Sequence, residues 1–304
     1  MFRTIFYAAR TLRLDMLFFS VPYAFVWARA LGASTDGLAA SGPLILGAHA
    51  ALLLLALLLS DTREAEAGRE PRLMLWRDRF VLDADAQSGG VPVLALIASV
   101  LTLVLLVVDP AAGLYMILGA AVLLWHGTRA MRRKYVLIEL AAPALVLAVP
   151  GLLVATRLLS RARDMYVGEM DDVAAPTAHA LAAQAAVHPV LGASLLGAVA
   201  LGLFVMLCLL RDAPMDESEG VGSVAAAVGR PGARALAWVW AVAAVLLASM
   251  GAGWQWWGWG VAAALGVGSM GVASCLASGA YGRAVSVWAA LHAVAAAALV
   301  FTAH

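Results

Sequence analysis

Nine stretches of this chain are each apolar over close to the ~20 residues that an α-helix needs to cross the hydrocarbon core of a bilayer. They run over about 14–32, 42–60, 91–109, 111–127, 136–157, 187–210, 233–251, 256–278 and 285–302. In lipid every backbone N–H and C=O must be satisfied within the segment, so runs of this length fold as helices. The chain is 63% hydrophobic and only 13% charged, against roughly half and a quarter for a soluble domain. These features specify an all-α, polytopic membrane protein of nine transmembrane helices in a single domain over 1–304. A net charge of +1 without a dense basic stripe offers no surface for nucleic acid. Cys208 and Cys275 lie inside apolar runs and give neither a disulfide framework nor a CxxC metal site. The opening, "MFRTIFYAARTLRLDMLFFSVPYAFVWARALGAS", has the basic, apolar, small-residue order of a signal peptide. Its apolar part is long enough to span, so it is read as a retained first helix.

The narrowest junction in this count is "VDPAAG", where Asp109 and Pro110 allow only a tight turn between the third and fourth spans. The positive-inside rule supports nine over eight. With the N-terminus in the cytoplasm, sixteen of the 20 Lys plus Arg fall on inner segments. Only Arg29, Arg157, Arg161 and Arg163 stay outside. Merging the third and fourth spans would destroy that asymmetry. The expected placement is the inner (cytoplasmic) membrane, with the N-terminus in and the C-terminus out. The long outer loop, 158–186, carries Asp164, Glu169, Asp171 and Asp172 and a short amphipathic piece. It reads as a solvated loop without chemistry.

Two inner loops are different. The second span ends in "LLLSDTREAEAGRE", and the sixth, "LLGAVALGLFVMLCLL", runs straight into "RDAPMDESEGVG". Each puts an acid at the membrane edge, Asp61 or Asp212, with another three or four residues on, Glu64 or Asp216. Residues so spaced share a helix face. Pro214 disfavours helix at Ala213, so a kink or restart is expected there. Glu66 and Glu219 are further acids in these loops. Carboxylates gathered at the mouth of a bundle repel one another unless a cation sits between them, and oxygen ligands of this kind suit Mg²⁺, which bridges readily to phosphate oxygens. A charged, solvated loop is the plainer reading of either segment alone. Their recurrence after the second and sixth spans suggests a four-helix unit used twice, about 14–127 and 136–278, plus a ninth helix. A third inner loop, "HGTRAMRRKYVL", holds Arg132, Arg133 and Lys134 on the same side. It serves either as a topology anchor or as a diphosphate clamp. Glu139, early in the fifth span, either pairs with this cluster or accepts a proton. The "WQWWGWG" run at 254–260 reads as an interfacial belt on the outer side, and Trp238 and Trp240 as lipid-facing anchors.

This layout resembles the UbiA superfamily of intramembrane prenyltransferases. The resemblance is sharpest where Asp212, Asp216, Gly220, Ser223 and Gly229 fill the family's second acidic motif and "GARALAW" follows. "MRRK" is similar to the family's basic pair after the fourth helix, and "RTLRLDMLFFSVPYAFVWA" to its first helix. The first motif, N-D-x-x-D-x-x-x-D in the family, departs: Ser60, Asp61, Glu64 and Gly68 stand at those places, with Glu66 a substitute after a shift of register.

The resemblance implies a Mg²⁺-dependent enzyme that moves a polyprenyl group from its diphosphate to a lipophilic acceptor, of which a quinone precursor is one class. Catalytic residues would be Asp61, Asp212 and Asp216. Metal ligands would be Asp61, Glu64, Asp212 and Asp216, and diphosphate contacts Arg132, Arg133, Lys134 and Arg211. Membrane lipids surround it and nucleic acid has no part. Two alternatives remain open at this stage: a terpene cyclase of the same fold, and a non-catalytic scaffold or transporter.

Overall fold

The computed structural model describes residues 19–33, 47, 49–50, 84–108, 110, 113–114, 116–118, 147–169, 178–218 and 223–302. Among them lie seven helices: α1 (Val21–Ala33), α2 (Ala84–Val108), α3 (Val149–Glu169), α4 (Ala178–Ser218), α5 (Val224–Gly253), α6 (Trp259–Ala277) and α7 (Tyr281–Thr302). Four segments among the described residues are long and apolar enough to cross a bilayer: Ala183–Pro214, Val224–Gly253, Trp259–Ala277 and Tyr281–Thr302. The protein is an all-α, multi-pass membrane protein.

The axis of the bundle is α4, which packs on α1, α3, α5 and α7. Its apolar window is 89% buried, whereas those of α5, α6 and α7 are 33–39% buried. A helix apolar all round is either enclosed by protein or facing lipid; α4 is enclosed, and the other three keep one face outward. Small residues make the close approach possible. On α5, Ala233, Ala237, Ala241, Ala244, Ala248 and Ala252 form one buried face at helical spacing. Packing through small residues is how helices associate where lipid removes the hydrophobic drive. Gly197 of α4 lets α1 approach: a Cβ there would lie 2.6 Å from the Tyr23 ring. On α2, Ala98, Thr102 and Leu105 turn inward while Leu96, Val100, Leu103 and Val107 are exposed, again at helical spacing.

Three expectations change. The sixth helix does not restart at Pro214; α4 continues as one helix through Pro189 and Pro214 to Ser218. A proline inside a helix leaves the carbonyl four residues back without its backbone donor, and membrane helices re-satisfy such groups from their surroundings. Second, much of the expected outer loop 158–186 is helix, because α3 continues to Glu169 and α4 begins at Ala178. The reason is packing: Val154, Ala155, Leu158 and Ala162 keep a buried stripe past the apolar run. Third, the tryptophan run is only half a belt. Trp254 and Trp259 are exposed, but Trp257 is buried and its Nε1–H donates to the Ala248 carbonyl at 3.0 Å. Of the other pair, Trp238 is exposed, as expected of an anchor, while Trp240 is half-buried and would meet a Cβ on Gly202 at 3.1 Å. The full count of nine helices reaches beyond the described residues.

Candidate active site

The end of α4 near Ser218 is where an apolar helix turns charged. Leu203, Phe204, Met206, Leu207, Cys208 and Leu210 are buried without a polar break. Arg211 and Asp212 follow and are buried too, at 9% and 4% exposure. They pair through two bonds: Arg211 Nε donates to Asp212 Oδ1 and Nη2 to Oδ2, both at 2.8 Å. This is the planar fork by which a guanidinium holds a carboxylate through two bonds. Ala213 is fully buried and Pro214 exposed. Asp216 lies on the same helix one turn beyond Asp212. Glu217 is exposed and faces Arg230 Nη2 at 3.5 Å, a surface pair of little energetic weight.

Beyond α4 the chain re-enters as α5, and two features of the sequence explain how. Ser223 has extended backbone and its Oγ accepts from the Ala226 N–H at 3.2 Å, an N-cap that starts the helix. Gly229 then breaks the helical dihedrals with φ +71° and ψ 162°. That left-handed φ suits glycine, and Pro231 two residues later fixes where the helix resumes. Ser223 is thus a helix cap and Gly229 a break in the helix. Next to this re-entry, Arg234 Nε donates to Tyr281 Oη at 2.6 Å, and its guanidinium carbon stands 5.3 Å from the Tyr281 ring centroid. This ties α5 to the start of α7.

Of the residues expected to form the site, Arg211 and Asp212 are brought together, and Asp216 follows on the same helix. Asp61, Glu64, Glu66, Arg132, Arg133, Lys134, Glu139 and Glu219 lie outside the described residues. Among the described residues no three of His, Cys, Asp and Glu stand together as a ready metal set. The donor chemistry of Asp212 nevertheless fits a hard cation: a carboxylate has about four lone-pair sites, and the Arg211 fork takes two.

Sequence reasoning missed a polar network deep in the bundle. Tyr23 Oη and His292 Nε2 are 2.8 Å apart between α1 and α7, both side chains buried. Phe19 stacks on the His292 ring at 4.3 Å. Trp27 Nε1 donates to Ser194 Oγ at 2.7 Å, linking α1 to α4, and Trp288 Nε1 donates to the Ala200 carbonyl at 3.0 Å, linking α7 to α4. A histidine inside "VWAALHAVAAAALV" was the available signal, since ionisable residues within spans are costly and seldom idle.

Two solved structures share this architecture. A UbiA homologue from Aeropyrum pernix K1 superposes with a TM-score of 0.61 at 18% identity, over 94% of this chain and 98% of that one. A digeranylgeranylglyceryl phosphate synthase in membranes superposes with a TM-score of 0.58 at 12% identity, over 97% of this chain and 96% of that one. No protein-family model and no curated protein matches the sequence. The fold is UbiA-like over nearly the whole length of the chain.

Proposed function

We propose that this protein is an intramembrane prenyltransferase: it moves a polyprenyl group from its diphosphate to a lipophilic acceptor, with an aromatic quinone precursor as one candidate class. The observation that carries the reading is the end of α4, where the most enclosed of the described spans in a UbiA-like bundle delivers Asp212 and, one turn on, Asp216. A dry interior beside a charged rim is what this chemistry requires. The allylic C–O bond breaks and its electron pair leaves with the diphosphate. The acceptor then bonds to the allylic carbon and gives up a proton.

Asp61, Glu64, Asp212 and Asp216 are the residues that would hold Mg²⁺. When bound, the cation neutralises the charge that develops on the departing diphosphate. Arg132, Arg133, Lys134 and Arg211 would meet the diphosphate oxygens, arginine through paired N–H groups and lysine as a point charge. Glu66, Glu139 and Glu219 are supporting candidates. The isoprenoid tail lies among the spans, which in this reading number nine, as two four-helix units and a ninth helix. The deciding experiment offers the purified protein a panel of allylic diphosphates with Mg²⁺ and measures diphosphate release with and without candidate acceptors. No release with any member of the panel would overturn the assignment.

Two further results are expected. Accessibility tags placed within the two acidic segments, at 61–83 and 219–222, should both report the cytoplasm, and a C-terminal tag the opposite side. Tags on the two acidic loops reporting opposite sides would end the idea of a shared site. Replacing both Arg132 and Arg133 with Gln should weaken apparent affinity for the prenyl diphosphate by about tenfold or more, since charge-assisted bonds contribute roughly 1.5–3 kcal/mol each. Unchanged affinity would return these residues to the role of topology anchors.

A further inference from the structure

Arg234 is a cation held in place without a counter-ion. Trp240, further along α5, packs on Gly202 of the antiparallel α4. Arg234 is six residues from Trp240, while Asp212 is ten residues from Gly202. Arg234 therefore stands about one helical turn further into the span than Asp212. An arginine at such a depth ordinarily turns its head out to the water along its flexible stem. The stem of Arg234 is fixed instead: Nε donates to Tyr281 Oη at 2.6 Å, and the guanidinium carbon stands 5.3 Å from the Tyr281 ring centroid. Both contacts are with a neutral side chain. No carboxylate of the described residues lies within ion-pair distance of Arg234; Arg230, one turn back, faces Glu217. Among the described residues the Nη groups of Arg234 meet no acceptor. An unpaired charge within a span is costly, so the anion that neutralises this one comes from outside the chain.

We propose that Arg234 anchors the headgroup of a bound anionic phospholipid. A guanidinium matches phosphate oxygens through paired N–H groups, and the two Nη groups of Arg234 are available for that. Trp238, Val242 and Leu246 follow Arg234 at successive four-residue steps and are all exposed. Residues so spaced line one side of a helix, so an acyl chain has an apolar ridge to lie on directly below the cation. Arg230 extends the same ridge towards the water with a second cation, whose pair with Glu217 is exposed and long, at 3.5 Å. A lipid with net negative charge is the occupant rather than a zwitterion, because a choline headgroup brings its own cation to the site. A prenyl diphosphate offers the same phosphate chemistry. The lipid is favoured because the surface continuing from Arg234 is exposed and apolar, whereas the acidic end of α4 is enclosed by protein. The inference is independent of the prenyl-transfer reading.

The test is lipid-dependent stability. The full chain in detergent is titrated with dioleoyl phosphatidylglycerol or dioleoyl phosphatidylcholine, and the thermal midpoint is followed, since a ligand of the folded state raises it. Wild type should rise to a plateau with phosphatidylglycerol and respond more weakly to phosphatidylcholine. Arg234→Gln should need at least ~10-fold more phosphatidylglycerol for half of its rise, because charge-assisted bonds to the phosphate are lost. Tyr281→Phe keeps the ring and the cation but frees the stem, and its titration should fall between those two. Arg283→Gln removes an exposed cation two residues from Tyr281 and should titrate like wild type. Inorganic diphosphate forms a second arm and should shift wild type and Arg234→Gln equally. Matching phosphatidylglycerol curves for Arg234→Gln and Arg283→Gln would overturn the site, as would equal responses of wild type to the two lipids. A diphosphate shift lost only in Arg234→Gln would give this arginine to the diphosphate and also overturn the lipid assignment. Should Arg234→Gln not fold, Tyr281→Phe against Arg283→Gln decides, and superposed curves overturn the proposal.

Discussion

Asp216→Asn should lower turnover by at least about a hundredfold, since metal assistance to a leaving group contributes several kcal/mol and each ~1.4 kcal/mol is tenfold in rate. The substitution keeps the shape of the side chain and removes its charge. Asp216 stands in the final turn of α4, and asparagine has nearly the volume of aspartate, so the substitution creates no cavity. Folding should therefore be unaffected. Asp61→Asn should behave in the same way. Glu64→Gln should be milder, because the first acidic segment has Ser60 and Gly68 where the family pattern has Asn and Asp. Asp171→Asn and Asp172→Asn, from the expected outer loop, should stay near wild type and act as controls. The measurement is Mg²⁺-dependent diphosphate release for the whole set. Equal activity in Asp216→Asn and the controls would reduce the acids after α4 to a polar stop on a membrane span.

What the sequence could and could not announce follows from the range of the forces involved. The spans expected over 187–210, 233–251, 256–278 and 285–302 correspond to α4, α5, α6 and α7, because crossing a bilayer demands only apolar length. Their ends moved for reasons apolar length does not contain. α3 runs on to Glu169 because Leu158 and Ala162 find a neighbour to pack against. α4 runs through Pro214 because a membrane helix tolerates a proline where the freed carbonyl finds other partners. In the candidate site, Asp212 and Asp216 were visible as an i, i+4 pair, and Ser223 and Gly229 as residues of the resemblance; the structure makes the first a cap and the second a break at positive φ. The partnership of Arg211 with Asp212 was not visible, because periodicity arguments treat adjacent residues as facing apart. Tyr23 and His292 are separated by 269 residues in the chain, and only the packing of α7 against α1 brings them together. A charge at a helix end can thus be read from sequence, but its partner depends on which helix lies opposite.

The tryptophans offer the sharpest test of that packing, because one residue type occurs in opposite environments. Trp288 is fully buried, donates to the Ala200 carbonyl of α4 at 3.0 Å, and would lie 3.4 Å from a Cβ on Gly268 of α6. It stands where three helices meet. Trp254 and Trp259 are 57% and 64% exposed at the ends of α5 and α6. In water, truncating a buried tryptophan costs about 3–5 kcal/mol. In a bilayer the transfer part shrinks, since lipid tails are as apolar as a helix interface. The void and the lost hydrogen bond remain, because an acyl chain cannot enter a gap enclosed by three helices. Trp288→Ala should therefore destabilise the protein by roughly 3 kcal/mol, towards the lower end of that range. Trp254→Ala and Trp259→Ala should stay within about 0.5 kcal/mol, as surface substitutions do. Thermal midpoints in one detergent, compared across the three variants, separate the outcomes. Equal shifts would mean that Trp288 faces lipid like the others and that α7 does not close against α4. A large shift for Trp288 alone would fix α7 to the central helix, where its Nε1–H meets the Ala200 carbonyl.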